Sequence, residues 1–388
     1  MRVFLRFGFG KQAAVRTPGK LVFLMAGGGT GGHVFPLIAV ARELRRRGHD
    51  VFFIGTLGGI ESRLVPAAGF PIEYVNAGGL KRVGWRQVIT TLWNLPRSVM
   101  RALRFIRRYQ AAAAFSTGGY VSGPATIAAW LLRKPVVLME PNAMPGLANR
   151  WMGRLAARAL LNFDESARFF KARKVVMTGL PVRSEFFQIP PRQAGAKMTV
   201  LVTGGSRGSH RLNGACRESW PLFLDAGLPV CWIHQTGGQD YPEISAAFAK
   251  SGAEGQVTAF LDNMPQAFLA ADLVVCRSGA GAVAELAAAG KPSILIPFPY
   301  AADDHQLHNA EAMSRAGAAR LIPDRELTGE ALFQQIKDLA MDPAGLMRMG
   351  AAARELARPG ADERAADILE QEAGCPSWVD SRARTRNN

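Results

Sequence analysis

Short apolar runs alternate with longer amphipathic stretches along most of this chain. A run such as Val51–Ile54 is long enough for one buried strand, and the stretch after it has the apolar spacing of a helix. Strands that alternate with helices in this way are typical of parallel sheets covered by helices on both faces. The runs that predict strands are Leu21–Ala26, Val51–Ile54, Ile72–Val75, Ala112–Phe115, Pro135–Met139, Ala159–Leu161, Val175–Met177, Met198–Thr203, Pro229–Ile233, Val257–Phe260, Leu273–Cys276, Pro292–Ile296 and Arg320–Ile322.

A proline-rich passage, Pro181–Pro191, interrupts this alternation once. The pattern restarts at Met198, so we place the boundary between two domains near Gly179–Ala196. We expect a helix at Arg354–Ala373 to close the second domain and to pack back on the first. The expected parts are a disordered leader over 1–20, an N-terminal domain over 21–182, a C-terminal domain over 183–373 and a loose polar tail over 374–388.

The composition is that of a folded protein. The chain has 388 residues, of which 48% are hydrophobic and 20% charged, enough for two separate cores. No apolar run reaches the roughly 18–20 residues of a membrane-spanning helix, and the first 20 residues lack the apolar core of a signal peptide. The cysteines have no paired spacing, which predicts reduced thiols and no Cys/His metal site.

Basic residues are concentrated in the first half of the chain. Residues 1–183 hold 28 Lys and Arg against 7 Asp and Glu, whereas residues 184–388 hold 19 against 24. No acidic residue lies between Glu73 and Glu140. This asymmetry predicts that the first domain faces an anionic surface.

Met25–Phe35 is the most informative segment, because five glycines fall between positions 27 and 32, directly after the first predicted strand. Such a loop can approach a ligand closely, and the helix after it favours an anion at its N-terminus. The same field disfavours imidazolium, so a neutral His33 is a candidate proton acceptor.

A second strand–glycine loop–helix unit at Met198–Asn213 predicts two Rossmann-like, doubly wound domains facing one cleft. Each loop by itself can also be an ordinary glycine-rich turn.

Other candidate ligand residues also follow predicted strands. Ser116–Pro124 leads into a helix, at a position that faces ligands in α/β folds. Asn142 and Asn149 can bind sugar hydroxyls, but asparagine after a strand is equally a turn or cap residue.

Two segments of the second half complete this set. Ala280–Glu285 opens a helix whose N–H groups can hold a diphosphate. Glu285 can accept both hydroxyls of a ribose, with a solvated helix glutamate as the alternative. Gln306 can bind sugar hydroxyls through its amide. His305 and His308 lie close by in sequence, but no further ligands are spaced around them, and we predict no metal site.

Lys81–Arg108 combines apolar and basic residues at helical spacing. Interleaved tryptophan and leucine with basic flanks are typical of a segment that lies on an anionic bilayer, and a solvated basic face on a core-packed helix is the alternative. Pro96 is expected to start a helix or to divide two rather than to lie inside one. The residues assigned to this membrane surface are Trp85, Trp93, Arg97, Arg101, Arg104 and Arg108.

Taken together, these segments closely resemble the MurG-type glycosyltransferases, which add N-acetylglucosamine to the lipid-linked muramyl-peptide precursor of peptidoglycan. The resemblance extends from about Leu21 to Leu339. Each motif is weak by itself, but nine motifs in the same order are specific. They are Gly28–Pro36, Gly118–Pro124, Glu140–Arg150, Gly179–Arg183, Gly204–Ser209, His234–Gly238, Phe260–Met264, Arg277–Glu285 and Asp304–Ala310.

The resemblance implies the GT-B glycosyltransferase fold, with the acceptor and the membrane on the first domain and the UDP-sugar on the second. It implies that His33 is the catalytic base. Three residues depart from the family's usual pattern: Pro141 replaces a glutamine, Leu180 an asparagine and Ala282 a threonine. The first two bear on the local geometry, and the third implies that backbone N–H groups carry more of the phosphate binding. The residues implied on the donor side are Thr30, Gly31, Gly32, Asn142, Arg183, Ser206, Leu261, Ala280, Gly281, Ala282, Val283, Ala284, Glu285 and Gln306.

The implied reaction moves N-acetylglucosamine from UDP-N-acetylglucosamine to the C4 hydroxyl of the muramyl sugar in a single inverting displacement, without a cofactor. It would take place at the cytoplasmic face of the cell membrane, in cell-wall synthesis. The implied partners are UDP-N-acetylglucosamine, a polyprenyl-diphosphate-linked muramyl peptide, an anionic membrane surface and other cell-wall synthesis proteins.

Three alternatives remain at this point. A dinucleotide-dependent oxidoreductase would fit the spacing of Gly27, Gly29 and Gly32, but it needs an acidic residue at the end of the second strand, and Glu61 lies too late. A nucleic-acid-binding protein would fit the net charge of +16, but the aromatic residues form no recognisable binding module. Another GT-B enzyme, either a lipid glycosyltransferase or a UDP-sugar epimerase, is the closer alternative.

Overall fold

A computed structural model describes residues 19–77, 85–191 and 197–374 of the chain. Within these ranges the chain forms two parallel sheets with helices on both faces, which confirms the predicted class of two doubly wound α/β domains. Almost all of the predicted leader and tail lies outside the described residues, as does the side chain of Trp85, so those predictions stay predictions.

The first sheet is built from the first half of the chain. Its strands are β1 (Val22–Gly27), β2 (Asp50–Gly55), β3 (Ile72–Tyr74), β4 (Ala113–Gly118), β5 (Val136–Glu140), β6 (Arg158–Leu161) and β7 (Val175–Met177). Their order is β3-β2-β1-β4-β5-β6-β7, and the pairing is parallel. The chain changes direction across the sheet between β1 and β4. In open parallel sheets, ligands bind at the carboxyl ends of the strands at this switch point.

The second sheet repeats this arrangement. Its strands are β8 (Met198–Thr203), β9 (Val230–Gln235), β10 (Glu254–Thr258), β11 (Leu273–Cys276), β12 (Ser293–Leu295) and β13 (Ala319–Leu321). They pair in parallel in the order β10-β9-β8-β11-β12-β13. The switch point lies between β8 and β11, so the loops after these two strands are expected to face a ligand.

Helices cover both faces of the two sheets. They are α1 (Gly31–Arg46), α2 (Glu61–Ala67), α3 (Trp85–Tyr109), α4 (Ser122–Leu131), α5 (Leu147–Met152), α6 (Ser184–Phe187), α7 (His210–Asp225), α8 (Tyr241–Ser251), α9 (Met264–Ala270), α10 (Ala280–Ala289), α11 (His305–Arg315), α12 (Gly329–Ala340), α13 (Pro343–Glu355) and α14 (Ala361–Glu372). On the first sheet, α1 and α14 bury Leu37, Leu44 and Leu369 on one face, while α3 and α4 bury Ala102 and Ala125 on the other.

The last helix lies against the first sheet, where a buried charged cluster holds it. Arg47, the C-cap residue of α1, donates to Glu43 at 2.7 Å, to the partly exposed Asp367 at 2.6 Å and to Glu370 at 2.8 Å. His49 Nε2 lies 2.8 Å from the other oxygen of Glu370. Because these groups are paired inside the protein, losing one partner would leave a buried charge uncompensated.

Two predicted elements differ from the structure. The run Val257–Phe260 predicts a strand that in fact spans Glu254–Thr258, because this edge strand exposes several residues and has no continuous apolar run. The predicted closing helix, Arg354–Ala373, is divided: α13 ends at Glu355, and α14 begins after Gly360, which has a left-handed backbone with φ 72°.

The prediction for Pro96 is wrong, because α3 runs through this residue without interruption. The φ angle of proline suits a helix, but its ring removes the hydrogen bond to the carbonyl four residues earlier and crowds that carbonyl. Val99, Ala102 and Ile106 on the following turns are buried against the first sheet and α4. This packing stabilises the helix despite the missing bond.

Candidate active site

The first glycine loop places His33 in the first turn of α1. Thr30 is the N-cap residue, and its Oγ1 lies 2.9 Å from His33 Nδ1. Thr117, at the end of β4, donates its hydroxyl to the carbonyl of His33 at 2.9 Å. The segments at the ends of β1 and β4 therefore both hold the first turn of α1. Because Nδ1 is paired with Thr30, Nε2 is the ring nitrogen that can accept a proton from a substrate.

The surroundings of His33 keep its imidazole neutral. Burial, together with the positive charge that His305 can carry, lowers the pKa of His33 to about 4. His305 is the first residue of α11, in the second half of the chain. The N-termini of α1 and α11 therefore face each other across the cleft between the two sheets.

The backbone before α11 has an unusual conformation. Asp303 and Asp304 are both left-handed, with φ 55° and φ 49°. His305 Nδ1 then donates to the carbonyl of Ala302 at 2.7 Å, so a neutral His305 has its lone pair on Nε2. Strained backbone of this kind persists only where the fold enforces it, and it is concentrated at ligand sites.

Asn142 is held from both halves of the molecule. Glu140 Oε1 accepts from the backbone N–H of Asn142 at 2.9 Å and from its amide at 3.2 Å. On the other side, Asn309 of α11 donates to Asn142 Oδ1 at 3.1 Å and accepts from the N–H of Ala143 at 2.8 Å. Asn309 also donates to the carbonyl of Ser278 at 3.1 Å and is fully buried. It thus joins the β5–α5 loop to the β11–α10 loop.

Glu140 and Asn309 are not among the site residues predicted from the sequence. Asn309 lies three residues after Gln306 on one helix, a spacing that could have indicated a shared face. Burial raises the pKa of Glu140 to about 7. Asn149 is buried and donates to Glu140 at 2.7 Å, which favours a structural role over sugar binding.

The N-terminus of α10 forms the opposite wall of the cleft. Its N-cap, Gly279, has extended backbone and no side-chain cap, which leaves N–H groups for an anion. Ala280, Val283 and Ala284 are buried, and the N–H of Val283 already donates to the carbonyl of Gly279 at 3.0 Å, so the N–H groups before Val283 are the ones left for a ligand. Gly281, Ala282 and Glu285 are partly exposed.

Glu285 and Arg183 lie side by side at this wall. Arg183 Nη2 is 3.7 Å from Glu285 Oε1, and its guanidinium stacks over the ring of Phe186 at 5.1 Å. Burial raises the pKa of Glu285 to about 7, while Arg183 acts in the opposite direction. The side chain of Glu285 is 30% exposed. It is therefore neither fully solvated nor buried in the core.

The other predicted donor residues lie on loops of the second sheet. Ser206 is exposed in the loop after β8, and Leu261 is half-buried after β10. The side-chain Oε1 of Gln306 accepts from the N–H of Phe298 at 3.0 Å, and the backbone carbonyl of Gln306 accepts from Ser278 Oγ at 2.7 Å. The carbonyl half of the Gln306 amide is therefore engaged within the protein, which reduces its capacity to bind a sugar.

The basic residues of α3 form one exposed face. Arg97, Arg101, Arg104 and Arg108 are all exposed, and Trp93 on the same side is 73% exposed. Arg108 lies 3.7 Å from Glu73, and the apolar residues of the opposite side are buried. We call the four arginines and Trp93 the α3 basic face.

No group of three or more His, Cys, Asp or Glu side chains is arranged to hold a metal ion in the described ranges. Across those same ranges, no helix combines the length and the apolar character that a membrane span requires.

Comparison with known proteins agrees with this geometry. Residues 23–161 match the glycosyltransferase family 28 N-terminal domain, and residues 199–371 match the family 28 C-terminal domain. A protein of Solibacter usitatus, named UDP-N-acetylglucosamine--N-acetylmuramyl-(pentapeptide) pyrophosphoryl-undecaprenol N-acetylglucosamine transferase, is 57% identical over 90% of this chain and 96% of its own. A protein of the same name from Anaeromyxobacter dehalogenans is 42% identical over 89% of this chain and 91% of its own.

Solved structures give the same result for the fold. The crystal structure of Acinetobacter baumannii MurG superimposes with a TM-score of 0.79 at 32% identity, covering 91% of this chain and 99% of that one. A UDP-GlcNAc 2-epimerase from Neisseria meningitidis has a TM-score of 0.62 at 14% identity, covering 91% of this chain and all of that one, and shares the fold alone. The chain therefore belongs to glycosyltransferase family 28, in which it is a GT-B enzyme of the MurG type.

Proposed function

We propose that this enzyme transfers N-acetylglucosamine from UDP-N-acetylglucosamine to the C4 hydroxyl of a polyprenyl-diphosphate-linked muramyl peptide. The relatives' names support this pair of substrates, and 57% identity over 90% of the chain supports applying them here. One structural observation carries the chemistry. A neutral imidazole at the start of α1 faces the N-termini of α10 and α11 across one cleft.

His33 acts as the general base in this proposal. With Nδ1 held by Thr30, Nε2 takes the proton of the C4 hydroxyl as that oxygen attacks C1 of the donor sugar. The C1–oxygen bond to the diphosphate breaks on the opposite side, so the configuration at C1 inverts. The protein's own groups lower the pKa of His33 to about 4. The negative diphosphate of a bound donor stabilises imidazolium and raises this pKa towards the working pH.

The donor lies against the second sheet in this arrangement. The first-turn N–H groups at Ala280–Ala282 bind the diphosphate and stabilise the charge that develops on UDP. Glu285 accepts from the ribose hydroxyls, with Arg183 beside it, and Leu261 offers its backbone to the base. Thr30–Gly32, Asn142 and Gln306 contact the sugar, and Ser206 the nucleotide.

The α3 basic face attaches the enzyme to the cytoplasmic surface of the cell membrane. A polyprenyl chain leaves the bilayer only at a large hydrophobic cost, so the enzyme has to work at the membrane surface. Exposed arginines together with Trp93 match the composition of a peripheral membrane contact.

A direct assay tests the proposed function. The enzyme is incubated with labelled UDP-N-acetylglucosamine and a lipid-linked muramyl peptide in vesicles, and the lipid fraction is examined for labelled disaccharide. We expect product with a β-1,4 linkage. Hydrolysis or epimerisation of the donor without label in the lipid would contradict the proposal.

Replacing Glu285 by alanine is expected to weaken UDP binding about 10- to 100-fold, because a hydrogen bond to a charged group contributes about 1.5–3 kcal/mol. The variant should also lose its preference for ribose, so that its affinity for a 2′-deoxyribose donor equals its affinity for the ribose donor. Since burial raises the pKa of this carboxyl to about 7, its charged form predominates above pH 7, and calorimetry at pH 8 gives the full effect.

The control for this prediction is Glu330→Ala, which removes an exposed helix glutamate of α12 that pairs with Gln334. It should leave UDP binding unchanged. If wild type and Glu285→Ala distinguish ribose from 2′-deoxyribose equally, Glu285 does not contact the ribose.

A further inference from the structure

The first glycine loop is held from beneath by a buried carboxylate, that of Glu61. Glu61 is the first residue of α2 and is 1% exposed. Its Oε2 accepts from the N–H of Gly29 at 3.0 Å. Its Oε1 accepts from the N–H of Thr56 at 3.0 Å and from Thr56 Oγ1 at 2.8 Å. One side chain thus joins the end of β2 to the loop that follows β1.

Glycines make the space that this carboxylate fills. A Cβ at Gly59 would lie 2.1 Å from Glu61 Oε1, and a Cβ at Gly28 would lie 2.5 Å from its carboxyl carbon. A Cβ at Gly55 would lie 2.8 Å from Glu61 Cγ. Gly28, Gly55 and Gly59 are therefore compatible with Glu61 only as glycine, so the carboxylate and the backbone around it depend on each other.

The bond to Gly29 acts on the turn that carries the base. Gly29 has a left-handed backbone with φ 86° and immediately precedes Thr30, which caps α1 and contacts His33. A backbone hydrogen bond at Gly29 therefore determines where α1 begins and how the His33 ring is directed. A displacement of about 1 Å in a reacting group can lower the rate about 100-fold.

We propose that Glu61 is a positioning residue for the transfer reaction, which holds the first glycine loop so that His33 Nε2 points into the cleft. This inference rests on the proposed function for its effect on rate. It does not place Glu61 in contact with substrate. In a dinucleotide-binding enzyme, the acidic residue near this strand would bind the ribose of the ligand, whereas here it binds its own glycine loop.

Glu61→Gln tests the inference with little change of shape. The amide oxygen can still accept from both donors of Thr56, but its NH₂ group then faces the N–H of Gly29, and that bond is lost. We expect kcat to fall about 10- to 100-fold while the dissociation constant for UDP stays within about two-fold of wild type. In the His33→Ala background, the same change should have little further effect.

Two more variants separate positioning from general stability. Glu43→Gln removes another buried glutamate of the first domain, one that pairs with Arg46 and Arg47 at the far end of α1, and kcat should stay at the wild-type value. Gly59→Ala displaces the Glu61 carboxylate without altering it and should reproduce the loss of kcat. This variant also keeps the inference testable if Glu61→Gln does not fold.

A measurement that does not depend on turnover is the NMR titration of the His33 imidazole. In Glu61→Gln the His33 pKa should rise from about 4 towards 6.5, because a loosened ring becomes more hydrated. An unchanged titration, an unchanged kcat in folded Glu61→Gln, or full additivity with His33→Ala would each overturn the inference. Absence of transfer by the wild-type enzyme would instead contradict the proposed function.

Discussion

Replacing His33 by alanine is expected to lower kcat by about 10²- to 10⁴-fold, because that is the usual contribution of a general base. Binding of UDP should change little, since the diphosphate and ribose are held by α10 on the other side of the cleft. Stopped assays with saturating donor measure the first effect, and calorimetry with UDP measures the second.

The pH profile gives an independent check of the same assignment. A base has to be unprotonated, and an ordinary histidine loses that form as the pH falls through 6.5. Protonation of Glu285, whose pKa is about 7, is expected to give kcat/KM one acid limb near that pH. Since the pKa of His33 is lowered to about 4, the acid limb that belongs to His33 should lie well below it in the free enzyme. The alanine variant should lack this limb.

Two variants distinguish the base from a residue that only shapes the loop. His33→Gln retains a side-chain partner for Thr30 but has no basic nitrogen, so it should be about as slow as His33→Ala. His308→Ala removes an imidazole that pairs with Glu311 on α11, and it should keep most of the activity. Near-normal turnover of His33→Gln would show that the imidazole only caps the helix.

Replacing Arg97, Arg101, Arg104 and Arg108 together by glutamine is expected to weaken binding to anionic vesicles by about 10³-fold. Each basic residue near an anionic surface contributes about 1 kcal/mol, and four such contributions give about three decades. Arg108 should contribute least, because it already lies 3.7 Å from Glu73. Cosedimentation with phosphatidylglycerol vesicles at low and moderate salt measures the change, and UDP binding should be retained.

A matched variant carries the same change of charge on the second domain. Lys250, Arg325 and Arg348 are exposed there and Arg217 is partly exposed, all away from the cleft walls described above. Their replacement by glutamine should leave vesicle binding almost unchanged if the α3 basic face makes the contact. Equal losses in both variants would mean that only net charge matters, and an unaffected α3 variant would place the contact elsewhere.

The thirteen strands show how much of the fold can be predicted from the local pattern of apolar residues. Each predicted run coincides with or overlaps an observed strand, because buried strands of a parallel sheet are apolar along their whole length. The strand at Glu254–Thr258 was displaced in the prediction because an edge strand is not buried on all sides. The break at Gly360 and the continuous helix through Pro96 depend on packing with distant segments, which local propensity does not contain.

The sequence by itself determined the alternation of strands and helices, the two glycine loops, the place of His33 at a helix start and the basic face of α3. These features depend on residues that lie within a few positions of one another, so the local sequence is enough to predict them. Only the tertiary structure decided that Asn309 joins both halves of the cleft, that Glu140 orients Asn142, that His305 faces His33 and that Glu61 holds the first glycine loop. The last of these links joins residues 32 positions apart and the first joins residues 166 apart, and such contacts form only when parallel strands bring their carboxyl ends to one edge of each sheet.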